Sequence, residues 1–275
     1  MKKVLAVLMA VMMLVCFASC GADEEKAVDY AASVEGAYVV AEAGSAGEEL
    51  ANGDEFFAGA NFTPVDSMTA ALMQVKALTA DVALVDYVAS IGSIGEGTDF
   101  ADLEVVAGKD FSPEQYGIAF RKNSDITPAV NQAIAELLSE GTLNEIGAKY
   151  KLDEILVTDA VAEEDADMVE GDLAYIKEKG ELVIGITYFA PMNYEDENGE
   201  LIGFETEFAK AVCEKLGVKA KFVEINWNSK EIELNAKNID CIWNGMTITE
   251  ERAANMSISV PYMQNKQVMV ARKSK

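Results

Sequence analysis

The chain has 275 residues, with 47 acidic side chains against 22 basic ones, a formal net charge of −25 and no histidine. That length suits one or two domains with a sizeable core. A surface this acidic repels nucleic acid and anionic lipid headgroups, and the lack of histidine removes the commonest general base and metal ligand.

Lys2 and Lys3 precede an uncharged apolar run from Val4 to Phe17. The run is shorter than the roughly 20 apolar residues of a membrane span and fits a signal-peptide core. Phe17-Ala18-Ser19-Cys20 is similar to the lipobox of bacterial lipoproteins. Residues 1–19 are therefore expected to be a signal peptide, and Cys20 a lipidated, membrane-anchored new N-terminus. The other reading is a plain secretory signal with an incidental cysteine. Residues 20–35, small and acidic, read as a tether.

From Gly36 strands and helices alternate. Ala37–Glu42 is a short β-rich run. Asp66–Asp81 has helical spacing, with Met68, Leu72, Val75 and Leu78 on one face. DVALVD (81–86) and Tyr116–Arg121 read as strands. Ile126–Glu140 is an amphipathic helix stopped by Gly141. Residues 158–172 carry many carboxylates but lack the spacing of a calcium loop, so they read as a solvated linker. Leu173–Lys179 is a helix ended by Gly180, and Glu181–Thr187 a strand. Asn198-Gly199 marks a hairpin turn. Phe204, Phe208, Val212 and Leu216 mark a helix stopped by Gly217. Ala220–Ile225, Ile239–Trp243 and Gln267–Ala271 read as strands. The alternation predicts an α/β fold with largely parallel sheets.

The chain has no G-x-S-x-G, no phosphate-binding glycine loop and no zinc spacing among its cysteines. No metal or cofactor is expected. Cys213 and Cys241 either pair in an oxidising exterior or stay as buried thiols.

LAYIKEKGELVIGITYFAPM, NGELIGFETEFAKAV, AKNIDCIWNGMTITEER and SISVPYMQNKQVMVARK, between 173 and 273, resemble the N-terminal half of the polar amino-acid solute-binding proteins of ABC importers. VVAEAGSAGEE, TADVALVDYVA, YGIAFRKNSD and ELLSEGTLNEIGAKYKL, between 36 and 156, resemble the C-terminal half. The halves stand in reversed order, as in a circular permutant joined through 158–172, or in a gene assembled from halves of two binding proteins. The resemblance implies a two-lobed, periplasmic-binding-protein-like type II fold. Residues 36–115 plus about 265–275 would form one lobe and 122–264 the other. Tyr116–Arg121 and Gln267–Ala271 would be the hinge strands.

The resemblance also implies a site for a free amino acid. Arg252, in the first turn of a helix capped by Thr249, would fork onto the ligand carboxylate, helped by Thr247. Ser45 and Ala46, in the turn Gly44–Gly47 that opens a helix, would add backbone N–H groups. Asp86, at a strand end, and the Gly245 carbonyl would take the ammonium. Phe189 and Trp227 would wall the side chain, with Asn244, Tyr188 and Met192 near. Glu42 could pair a cationic ligand, whereas Ile186 stands where relatives that bind cationic amino acids carry an aspartate. The ligand's identity stays open.

Closure of the lobes over the ligand would present it to the membrane permease of an ABC importer. The resemblance argues against an enzyme. The alternatives are a dehydratase-like cleft enzyme and a ligand-sensing receptor module.

Overall fold

The computed structural model describes residues 28–162 and 167–273. The signal segment, Cys20 and part of the acidic linker lie outside the described residues. Tyr30–Lys273 form one unit with a mixed α/β architecture.

The first lobe opens with β1 (Tyr38–Glu42), α1 (Ala46–Gly53), β2 (Asn61–Val65), α2 (Met68–Lys76), β3 (Val82–Asp86), α3 (Tyr87–Ser93), β4 (Leu103–Val105) and β5 (Pro113–Tyr116). β1 pairs in parallel with β2 and β3, which brings the carboxyl ends Glu42 and Asp86 to one rim of the sheet. Such rims are where open α/β sheets bind ligands. Residues 82–86 are buried throughout, as expected of a parallel strand covered on both faces. The α2 face of Met68, Leu72 and Val75 is also buried. The helix expected over 66–81 is shorter than its spacing implied. Leu78 takes a left-handed φ of 61° and is 74% exposed, because the chain leaves the helix there to reach β3.

The second lobe comprises β6 (Ala119–Arg121), α4 (Ile126–Ser139), α5 (Thr142–Lys149), α6 (Asp172–Lys179), β7 (Glu181–Ile186), the hairpin β8 (Tyr194–Glu195) and β9 (Leu201–Ile202), α7 (Phe204–Leu216), β10 (Lys219–Glu224), α8 (Lys230–Asn235), β11 (Cys241–Ile242), α9 (Glu250–Asn255) and β12 (Met256–Ile258). β7 pairs in parallel with β10 and β11, and β6 runs antiparallel to β11 and β12. α7 buries Phe204, Phe208 and Val212. The Phe208 ring stands edge-on to Trp243 with centroids 5.0 Å apart and packs on Tyr262 at 5.5 Å.

β13 (Met263–Arg272) then returns to the first lobe. The sheets run β2-β1-β3-β13-β4 and β10-β7-β11-β6-β12. The chain passes between them twice, from β5 to β6 and from β12 to β13. Pro113–Tyr116 pairs antiparallel with Met263–Lys266 beside these crossings. This pair shares Tyr116 with the first run expected as a hinge strand and ends just before the second. Ala119–Arg121 is integrated in the second sheet, and Gln267–Arg272 pairs with β3 and β4 in the first.

Cys213 and Cys241 are buried free thiols. Burial pushes the Cys213 thiol up to about 12, so neither cysteine is poised as a thiolate.

Candidate ligand-binding cleft

Between the lobes lies a cleft lined by Glu42, Ser45, Ala46, Met68, Asp86, Trp227, Asn244, Gly245, Thr247 and Arg252. Nine of the ten residues expected at the site are there. Phe189 lies just beneath, buried, and a Cβ on Gly245 would stand 2.9 Å from its Cζ. Met68 joins the lining without having been expected.

Arg252 is 4% exposed. Thr249 caps α9, its hydroxyl accepting the Arg252 N–H at 3.2 Å. This cap turns the first helical turn toward the cleft. The Arg252 guanidinium donates to the Thr247 carbonyl at 2.9 Å. It also reaches across the cleft to the Gly44 carbonyl at 3.3 Å and to Glu49 Oε1 at 2.8 Å.

From the facing lobe, Ser45 caps α1, accepting from the Glu48 N–H at 3.1 Å. Gly44 N–H donates to Glu48 Oε2 at 2.6 Å, and Ser45 N–H to the Glu42 carbonyl at 3.2 Å. These bonds occupy two of the four amides expected to form an anion site. Ala46 and Gly47 begin the helix, where N–H groups have no intrahelical acceptor.

Asp86 ends β3 and stands at the N-cap position of α3, but its side chain makes no cap bond. Its Oδ1 instead accepts from Asn265 Nδ2 at 2.9 Å and from Gln267 Nε2. The same two amides also donate to Glu114 Oε2, as does the Thr247 hydroxyl at 3.0 Å. Two carboxylates therefore share one set of donors. Desolvation and the charge of Glu114 push the Asp86 carboxyl up to about 6.

Gly245 takes a left-handed φ of 57°. Its N–H donates to Glu205 Oε1 at 2.7 Å. Glu205 also accepts from Tyr262 Oη and from Asn193 Nδ2 at 2.8 Å, and Asn193 in turn donates to Asn244 Oδ1 at 3.0 Å. This buried network fixes the backbone that turns toward the cleft.

Glu42 is 2% exposed, and its Oε1 has no hydrogen-bond partner among the described residues. Desolvation, then the charge of Asp86, pushes its carboxyl up to about 8. Lys230 is also buried. Its ammonium donates to the Gly44 carbonyl at 2.9 Å and lies 4.8 Å from the Trp227 ring centroid. Desolvation and Arg252 lower its pKa to about 8.

Sequence reasoning missed Glu49, Glu114, Glu205 and Lys230. Each is a charged side chain in an ordinary helix start or polar strand, where a solvated role is the default, and only tertiary contact buries it or ties it to the cleft.

Residues 182–275 match the bacterial extracellular solute-binding proteins, family 3. That match takes in about a third of the chain. Over 94 residues it is 36% identical to the L-cystine-binding protein TcyJ of Escherichia coli (strain K12), covering 34% of this chain and 35% of that protein. It is 31% identical over 96 residues to the ABC transporter arginine-binding protein 1 of the same organism, covering 35% and 39%. Among solved structures, the arginine-bound form of truncated ArgBP from T. maritima is 40% identical, over 30% of this chain and 39% of that chain, with a TM-score of 0.29. The chain spans about a third of the length of the curated relatives it matches. These relatives are named as binding proteins. The matched segment supplies Phe189, Trp227, Asn244, Gly245, Thr247 and Arg252.

Proposed function

We propose that this protein binds a free amino acid in the cleft between its lobes and delivers it to an ABC importer, anchored outside the cell membrane through a lipid on Cys20. The carrying observation is the convergence on one cleft of a buried guanidinium at Arg252, a buried carboxylate at Asp86 and the helix start at Ser45–Ala46. A zwitterion needs those three partners: a fork for its carboxylate, helix-start amides to share that charge, and an acceptor for its ammonium. Arg252 belongs to one lobe, and Ser45 and Asp86 to the other. A bound ligand would thus favour the state with the lobes together, because only that state completes its contacts.

The matched family segment supports this reading, since its relatives bind amino acids and derivatives such as cystine and arginine. A lobe built from 38–105 is completed by the last strand, 263–272, and the lobe between them is continuous.

Arg252→Ala is the direct test. Calorimetry should show loss of amino-acid binding with the fold retained, whereas unchanged affinity would reject the site. A second reading, a dehydratase-like enzyme, rests on Glu42, whose carboxyl holds its proton at neutral pH as a general acid would. Recovery of the bound amino acid chemically unchanged supports binding; conversion to product supports the enzyme.

A further inference from the structure

Glu42 is a buried carboxyl in the cleft that the ligand's own carboxylate and ammonium leave unused. It ends β1 on the rim that also carries Asp86, and it lines the cleft with Trp227 and Met68. Its Oε1 is buried and meets no hydrogen-bond donor among the described residues. A buried carboxyl oxygen without a hydrogen-bond partner is costly, so the position calls for a partner brought from outside the chain.

The neighbouring cations do not fill that role. Lys230 is oriented by carbonyls, with its ammonium on Gly44 O at 2.9 Å and Trp227 O at 3.4 Å. Its positive charge favours ionisation of Glu42 without a bond to it. Arg252 is directed to Thr247 O, Gly44 O and Glu49. The remaining charged groups facing this part of the cleft, Asp86 and Glu114, are carboxylates that already share the amides of Asn265 and Gln267. Once a ligand's own carboxylate and ammonium have gone to Arg252 and Asp86, its side chain is left facing the unpartnered Oε1 of Glu42 and an aromatic wall.

We propose that the ligand is an amino acid with a cationic side chain, a guanidinium or an alkylammonium, which lies against Trp227 and places its charge on Glu42. The proposal rests on the amino-acid reading above and adds the side-chain class. It sets the specificity charge on β1, in the lobe of Asp86. The second lobe's β7 ends instead on Ile186, buried and apolar. A charge-assisted hydrogen bond from guanidinium or ammonium satisfies Oε1, and the indole adds a cation–π contact.

Binding then moves a proton. Desolvation and the charge of Asp86 keep the Glu42 carboxyl protonated at neutral pH in the empty cleft. An arriving cation forms its bond to the carboxylate, and the carboxyl proton leaves to solvent. The charge of Asp86 opposes this ionisation of Glu42, while Lys230 and the Met68 backbone N–H favour it.

The test is calorimetry of the wild-type protein with L-arginine, L-lysine, L-citrulline and L-glutamine at pH 7, repeated in two buffers of different ionisation enthalpy. Arginine or lysine should bind roughly 100-fold more tightly than the neutral isostere citrulline, with net proton release. Glu42→Gln should remove that proton release and shrink the preference to below about 10-fold, while Glu42→Asp should keep a cationic preference. Citrulline or glutamine binding as tightly as arginine would overturn the proposal and leave the amino-acid reading intact. A preference unchanged in a folded Glu42→Gln variant would overturn it equally. Failure of all four ligands, and of every other amino acid, would overturn the amino-acid reading itself.

Discussion

Arg252 on α9 and Glu49 on α1 face each other across the cleft, Nη2 to Oε1 at 2.8 Å. The guanidinium that would grip a ligand carboxylate already holds one from its own chain. Glu49 is half exposed, so the pair adds only about 0.2–1 kcal/mol to stability. It is nevertheless an internal competitor, and an amino acid must displace it. Glu49→Gln should tighten amino-acid binding by roughly 1.4- to 5-fold, the equivalent of that free energy. Calorimetry checks this, and weaker binding in the variant would mean that Glu49 supports the ligand instead.

The buried carboxyls of the cleft make stability depend on pH in a definite direction. Asp86 is held up at about 6, Glu205 at about 7 and Glu42 at about 8, each chiefly by desolvation. A carboxyl whose folded pKa lies above its unfolded value binds more protons folded than unfolded, so stability falls as pH rises between the two values. Lys230, held down at about 8, adds its dependence only above that pH. The ligand-free protein should therefore melt at a higher temperature near pH 5 than near pH 8. The slope for each titrating group is at most about 1.4 kcal/mol per pH unit. Asp86→Asn should flatten the part between pH 4 and 6. A melting temperature that rises from pH 5 to pH 8 would contradict the assignment.

Phe208 joins α7 to the core of the second lobe, with its ring edge-on to Trp243 and packed on Tyr262. It is fully buried. Phe208→Ala should cost about 3–5 kcal/mol in urea unfolding. A cost below about 1 kcal/mol would mean that the site collapses around the missing ring.

Gly245 combines a left-handed φ with close rings. A Cβ there would stand 2.9 Å from Phe189 Cζ and 3.2 Å from Tyr116 Cζ. Gly245→Ala should lose about 1–3 kcal/mol of stability through backbone strain, and it should weaken ligand binding, because the displaced segment carries Asn244 and Thr247 into the cleft. Urea melts and calorimetry on one preparation separate the two effects.

Much of this fold was legible in the sequence because its elements are strongly patterned. α4 and α7 follow their apolar spacing, and Gly141, Gly180 and Gly217 stand with positive φ just past α4, α6 and α7. Asn198-Gly199 lies in the turn of the β8–β9 hairpin. β13 was half legible. Its apolar end, 267–271, reads as a strand, but Met263–Lys266 is largely polar and crosses between lobes, where no alternating pattern is needed. α3 was missed because YVASIGS is short and carries no clear period. In the cleft, residues tied to a strand end or a glycine turn could be read, such as Asp86, Ser45 and Gly245. Charged residues whose role comes from a distant partner could not. Glu114 meets Asp86 through Asn265 and Gln267, 151 and 153 residues away, and no local pattern encodes that meeting.

The most direct measurement is a thermal-shift screen of the protein against the free amino acids, each at millimolar concentration. Binding stabilises by RT ln(1 + [L]/Kd), so a micromolar ligand adds about 4 kcal/mol. A clear rise in melting temperature is expected with at least one amino acid in the wild-type protein and none with that amino acid in Arg252→Ala. No rise with any amino acid, or the same rise in both proteins, would contradict binding through Arg252.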